Sequence, residues 1–272
     1  MGVLDIKLHQ RPQVLILSGL DPSGGAGIQA DIQTVTALGG HPLPIVTCLT
    51  VQDTRNVYSA TAVEAELVAE QLACLAEDTP IHAIKTGALG NSAIVDVLLA
   101  FISNHPGIPL IVDPVIKAAG GGDLADQSLI ASMRDKLFPH ADVITPNGVE
   151  LVALGRSADA GIAASALLQS GCHAVLATGG HGSGPDLTNT LFRTHSEPVE
   201  WIIERIGADY EGEFHGTGCT LAAAIAAGRA AGLELDTAIE QAQHFVSAAI
   251  AGALEVGGGQ PVPDRISRPQ PQ

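Results

Sequence analysis

The stretch 215-HGTGCTLAAAIAAG-228 is the part of the sequence best equipped to do chemistry. Gly216, Thr217 and Gly218 precede Cys219, and the run of alanine, leucine and isoleucine behind them reads as a helix. The first turn of a helix presents unpaired N–H groups and the positive end of the dipole. Glycines there let a ligand approach the backbone, so the turn is a seat for a phosphate or another anion. The same field is expected to lower the thiol of Cys219 from about 8.5 toward neutrality. A thiol poised near the working pH serves as a general base. The plainer alternative is that the glycines only permit close packing and that Cys219 is a small buried hydrophobe.

Further loops of the same kind recur along the chain: 19-GLDPSGGAGIQAD-31, 52-QDTRN-56, 85-KTGALG-90, 113-DPV-115, 146-PNGVE-150 and 179-GGHGSG-184. Each follows an apolar run that reads as a strand. Ligands of open α/β sheets bind beyond the carboxyl ends of the strands, so these loops are expected to converge on one site. Neither GxxxxGK[ST] nor GxGxxG is present, which excludes the two familiar phosphate-binding loops. Individually the residues have plainer readings. Asp21 could simply cap its turn, Asp31 could be an exposed helix carboxylate, and Asp113-Pro114 could only end a strand. Lys85 is either a strand-end residue reaching solvent or a phosphate contact. His181 and His215 could be bonded to backbone.

The elements that must position these loops alternate almost from end to end. Strands are expected at 14–18, 44–51, 81–86, 109–115, 141–145 and 173–178, several of them apolar on both faces as buried parallel strands are. The runs 189–194 and 199–206 read as an antiparallel edge hairpin. Helix starts are expected at Asn91, Asp126, Asp159 and Asp236, with a capping box at Thr61 and Glu64 and a stop at Gly155. Ile28, Ile32, Val35 and Leu38 recur at helical spacing. The resulting fold class is α/β, a central, mostly parallel sheet with helices on both faces.

The chain has 272 residues, 46% of them hydrophobic but only 3% aromatic, so its core is aliphatic and alanine-rich. One domain is expected, ordered from about 13 to 256, with Gly/Pro/Gln-rich mobile ends at 1–12 and 257–272. A net charge of −16 argues against nucleic acid or an anionic membrane as partner. The four cysteines show no zinc or disulfide spacing and no signal segment opens the chain, so a reduced, cytoplasmic protein is expected.

Taken together, 18-SGLDPSGGAGIQADIQTVTALGG-40, 47-TCLTVQDT-54, 112-VDPV-115, 144-ITPNGVE-150, 178-TGGH-181 and 215-HGTGCTLAAAIAA-227 resemble the hydroxymethylpyrimidine/phosphomethylpyrimidine kinases of the ribokinase superfamily. The resemblance runs from about Val14 to about Leu254, in family order. It implies a three-layer ribokinase-like fold and a kinase of thiamine biosynthesis that uses ATP and Mg2+. Such an enzyme phosphorylates 4-amino-5-hydroxymethyl-2-methylpyrimidine and then its monophosphate. The resemblance places Gly19, Asp31, Gln52 and Ala88 at the pyrimidine. It places Lys85, Asp113, Thr178 and Gly180 on the nucleotide and phosphate side, and Asn147 and Glu150 at Mg2+ through water. Gly216, Thr217 and Gly218 match the anion hole, and Cys219 stands where most relatives carry an aspartate base. The implied partners are the pyrimidine and ATP, with a homodimer as the assembly.

The chain departs from the family pattern at Ala88, where methionine is usual, and at Thr178, where lysine is common; Lys117 is a candidate to compensate for the latter. A pyridoxal kinase of the same superfamily and a non-catalytic nucleotide-binding regulator are the competing readings.

Overall fold

The computed structural model describes residues 10–117, 121–122, 124–180, 184–206 and 213–266. Strand β1 (Gln13–Leu20) lies third from one edge of the sheet, and Val14, Leu15, Ile16 and Leu17 are all fully buried. It pairs in parallel with β2 (His41–Gln52) and with β4 (Ala83–Thr86). The parallel series continues through β5 (Leu110–Val112), β6 (Val143–Ile144) and β7 (Ala174–Ala177). Both edges turn antiparallel: β3 (Val57–Ala62) on β2, then β8 (Asp186–Arg193) and β9 (Val199–Glu204) beyond β7. The order among the described residues is β3-β2-β1-β4-β5-β6-β7-β8-β9.

Alternate strand residues serve opposite faces, as the pleat requires. Val14, Ile16, Ala83, Ile111 and Val143 pack on the side of α1 (Gly27–Ala37), α7 (Thr217–Ala230) and α8 (Leu235–Ala251). Leu15, Leu17, Ile84, Leu110, Val112 and Ile144 pack with α2 (Ala65–Asp78), α3 (Ser92–Asn104), α4 (Gln127–Ser132), α5 (Gly148–Gly155) and α6 (Ala160–Gln169). The result is the expected three-layer α/β architecture. No single helix among the described residues is long and apolar enough to cross a membrane.

Asn91, Asp126 and Asp159 cap α3, α4 and α6 as their sequences imply, each accepting a backbone N–H of the first turn. Other local expectations are corrected. Thr61 lies in β3, and Glu64 precedes α2 with no side-chain cap bond, so there is no capping box. Glu234, not Asp236, is the N-cap of α8; Asp236 pairs with Arg193 instead. The chain leaves α5 through Arg156, at φ 56°, one residue past Gly155.

The largest correction concerns 257–266, expected as part of a mobile end. Gln260 N–H donates to Thr54 O, His215 N–H to Pro261 O and Asp264 N–H to Ala249 O, while Leu254 and Val262 form a bridge. The segment is a strap that runs across the loop end of the sheet. Residues 1–9 and 267–272, parts of the same two expected ends, lie outside the described residues, as does His181.

Candidate active site

The loops after β1 and β2 reach the residues just before α7, through Asp21 with His215, Gly25 with Gly216 and Gln52 beside His215, and the ends of β4 and β5 bring Lys85 and Asp113 toward Cys219. At the bottom of this cleft lies Lys85, in the last half of β4, with 0% exposure. Its Nζ is 2.8 Å from Asp31 Oδ1, donates to Asp31 Oδ2 at 2.9 Å and lies 4.0 Å from Asp113 Oδ2. Burial works against the ammonium, but Asp31, with Asp113 behind it, holds it charged, above the usual lysine range. Asp31 is equally inaccessible. Asp31, expected at the pyrimidine, and Lys85, expected at a phosphate, are closed to solvent here and occupied by each other.

Above this pair, Gly19 lies against Cys48 and Ala88. A Cβ on Gly19 would come within 2.7 Å of Cys48 Sγ and 3.4 Å of Ala88 Cβ, so the wall is already closely packed. Gln52 ends β2 half-buried and lies beside His215, Thr54 and Gln260. Asp21 accepts from Ser23 N–H, Ser23 Oγ and Ala26 N–H, and its Oδ2 lies 2.8 Å from His215 Nε2. Burial would raise its carboxyl, but the bonds from His215, Ser23 and Ala26 hold it well below the carboxylate range. Asp21 thus caps its own turn and also ties that turn to the start of α7.

Gly216, the N-cap of α7, has φ 83°, and a Cβ there would collide with the Gly25 carbonyl oxygen. The starts of α1 and α7 therefore touch, which only glycine at 216 permits. Gly218 is exposed, and a Cβ on it would meet nothing within 4 Å, so this turn is open to a ligand. Thr217, at the first helical position, is half-buried. Cys219 is half-buried as a residue, yet its sulphur sits between Lys85, Asp113, Asp31 and the Gly27 N–H. Burial pushes the thiol up to about 12, and the two carboxylates add to this against the pull of Lys85. The expected lowered thiol is thereby corrected: the helix field is present, but burial outweighs it.

On the neighbouring side, Asn147 caps α5 by accepting from Val149 and Glu150 N–H, and Glu150 accepts from Asn147 N–H at 3.0 Å. The PNxxE element is a capping box, which aims Glu150 inward beside Asp113. Burial and the charge of Asp113 push Glu150 up to about 8. Burial likewise raises Asp113, whose Oδ2 has no hydrogen-bond partner. An orphaned carboxylate oxygen beside a second buried carboxyl suits a cation. Among the described residues no group of three or more His, Cys, Asp or Glu forms a metal cage. A hard cation here would take its remaining oxygens from water and phosphate. Thr178 joins Asn147 through a parallel bridge, and exposed Gly180 accepts from Arg205 Nη1.

The phosphomethylpyrimidine kinase family model matches residues 21–263. A hydroxymethylpyrimidine/phosphomethylpyrimidine kinase of Rhizobium meliloti is 38% identical over 258 residues, covering 90% of this chain and 94% of that one. The chain belongs to the phosphomethylpyrimidine kinase family. Among solved structures, the Staphylococcus aureus pyridoxal kinase in complex with AMP-PCP and pyridoxal is 25% identical, with a TM-score of 0.84 and 94% of each chain covered. A phosphomethylpyrimidine kinase of Clostridium difficile is 27% identical, with a TM-score of 0.74, covering 89% of this chain and all of that one.

This phosphomethylpyrimidine kinase family member is a phosphotransferase of ribokinase-like fold. A residue of the segment expected as a mobile tail also reaches this site. Arg265 is only 3% exposed and bonds Thr220, Gln33, Gly25 and Gly216. The available signal was thin: Pro261 and Pro263 stiffen the run that ends in Arg265, which a slack tail does not require. The bond from Asp21 to His215 left no signal at all.

Proposed function

We propose that this kinase transfers the γ-phosphoryl group of ATP to the hydroxymethyl oxygen of 4-amino-5-hydroxymethyl-2-methylpyrimidine, and then phosphorylates the monophosphate to the diphosphate. It does so as one kinase domain of thiamine biosynthesis. The observation that carries this reading is the meeting of two helix N-termini, α1 and α7, around Cys219 beside the packed Gly19–Ala88 wall. Such a place receives an anion and an alcohol side by side.

In this reading the pyrimidine lies against Gly19 and Ala88, with the Gln52 amide offering a donor and an acceptor to its edge. The N–H groups of Gly216 to Gly218 face the transferred phosphoryl group and the charge that builds on it. Cys219, protonated at neutral pH, orients the substrate hydroxyl. A loose transition state needs little help from a base, so the hydroxyl proton passes late, to an oxygen of the phosphoryl group as it arrives. Asn147 and Glu150 would hold Mg2+ through water, with Asp113 beside them and Thr178 and Gly180 along the nucleotide. When bound, Mg2+ neutralises phosphate charge. Lys85 and Asp31 support the floor from below.

Mass spectrometry of the products from hydroxymethylpyrimidine and Mg-ATP tests the proposal; appearance of mono- and then diphosphate is expected. Turnover of pyridoxal alone would overturn the substrate assignment. That second reading is favoured by the likeness to the pyridoxal-bound S. aureus kinase and by the small side chain at Ala88. A homodimer is supported by exposed Leu49, Val51 and Tyr58 on the β2–β3 edge, and a cytoplasmic location by four free cysteines.

A further inference from the structure

Arg265 reaches the cleft from the far end of the chain. Its Nε donates to Thr220 Oγ1 at 2.8 Å, Nη1 to Gln33 Oε1 at 3.3 Å, and Nη2 to Gly25 O at 2.6 Å and Gly216 O at 3.4 Å. These partners are neutral oxygens, so a buried cation remains without a directly bonded carboxylate among them. Burying a guanidinium in this way is costly and needs a return.

The geometry supplies one. In a planar peptide the C=O of one residue and the N–H of the next point in opposite directions. Fixing the Gly216 carbonyl toward Arg265 therefore aims the Thr217 N–H the other way, into the opening of α7. Thr220 helps from the same side, with its N–H and Oγ both donating to Gly216 O. Nη2 also holds Gly25 O, the atom against which Gly216 packs. One guanidinium thus sets the turn before α1 and the turn before α7 in a single register. A lysine, a point donor on a flexible stem, could not span these oxygens. The strap explains how Arg265 is delivered: Gln260 is bonded to Thr54, Pro261 to His215 and Asp264 to Ala249.

We propose that Arg265 is a positioning residue for phosphoryl transfer, holding the Gly25 and Gly216 carbonyls so that the α7 N–H groups stay aimed at the transferred group, and adding positive potential behind them. The proposal rests on the reading that Gly216 to Gly218 receive that group.

Steady-state kinetics of Arg265→Ala and Arg265→Lys, with and without millimolar guanidinium ion, test it. Arg265→Ala is expected to lower kcat about 10²-fold, the scale of a small misplacement at the reacting atoms, with KM for ATP nearly unchanged. Guanidinium should restore much of the lost kcat in that variant and none in the wild type, and Arg265→Lys should fall between. A wild-type kcat in Arg265→Ala would overturn the proposal. So would a loss that guanidinium does not relieve in a variant that melts like the wild type. Should Arg265→Ala not fold, Arg265→Lys decides: lower kcat at constant KM supports the proposal, and wild-type kcat refutes it. Absence of turnover by the wild-type enzyme with either hydroxymethylpyrimidine or pyridoxal would refute the kinase reading itself, and this proposal with it. Turnover with an indifferent Arg265 would refute only the latter.

Discussion

The two sides of the cleft are built differently. Around Cys219 the contacts join residues far apart in the chain: Asp31 with Lys85 over 54 positions, Asp21 with His215 over 194, and Gly25 with Arg265 over 240. These groups are buried and largely satisfied by one another. Around Asn147 the contacts are local, the cap and its return bond spanning three residues, and Gly180 is exposed. Apart from the open turn at Gly218, the first side is closed over its own ion pairs, whereas the second is held by local bonds near the surface. Breaking a buried ion pair transmits damage to stability, whereas changing an open group transmits it to binding.

The largest expected effect follows from the dry side. Lys85→Met leaves Asp31 and Asp113 buried without their cation, at a cost of about 3–5 kcal/mol. At this chain size that lowers Tm on the order of 10 °C in a calorimetric or fluorescence melt. An unchanged Tm would remove the ion pair from the list of things that hold this side together.

Intermediate effects separate the sides by substrate. Gln52→Ala should raise KM for the pyrimidine by the equivalent of about 1–3 kcal/mol and leave that for ATP alone. Glu150→Gln should raise the Mg2+ concentration needed for half-maximal rate by about 10-fold, with the pyrimidine KM unaffected. Equal changes for both ligands in either variant would erase the distinction between the sides.

The smallest effect concerns the thiol. Cys219→Ala should lower kcat by about 10-fold, short of the roughly 10²- to 10⁴-fold loss that follows removal of a general base. A larger fall would return the thiol to that role. Exposed Cys74 should be alkylated at neutral pH well before Cys219. Cys219, Cys48 and Cys172 are raised from 9.0 to about 12, 11 and 12 by burial. For groups raised on folding, the stabilisation is complete below the unfolded value and lost as pH climbs through the folded ones. Tm should therefore decline between about pH 9 and 12, less steeply in Cys219→Ala. Equal slopes would place the Cys219 thiol in contact with solvent.

The same contrast governs how much was legible in the chain. Strands β1 to β7, except β3, announce themselves by apolar runs, because a strand covered on both faces needs no polar residue. Asn91, Asp126 and Asp159 announce helix starts because a cap bonds a backbone only two or three residues away. Strand β3, with Tyr58 to Thr61 exposed, has no such pattern and exists because β2 offers it a partner. The order of glycine-rich loops gave their place after the strands. It did not reveal that Asp31 and Lys85 neutralise each other beneath the floor, or that Arg265 returns to brace the turn.

The residues by themselves thus determined the α/β alternation, the local caps and the helix that starts at Gly216 to Gly218, since periodicity and capping act within a few positions. Only the tertiary structure decided the ionisation of Cys219, the pairing of Lys85 and the place of Arg265. Desolvation and charge pairing depend on which atoms surround a group, and those atoms come from segments up to 240 positions away.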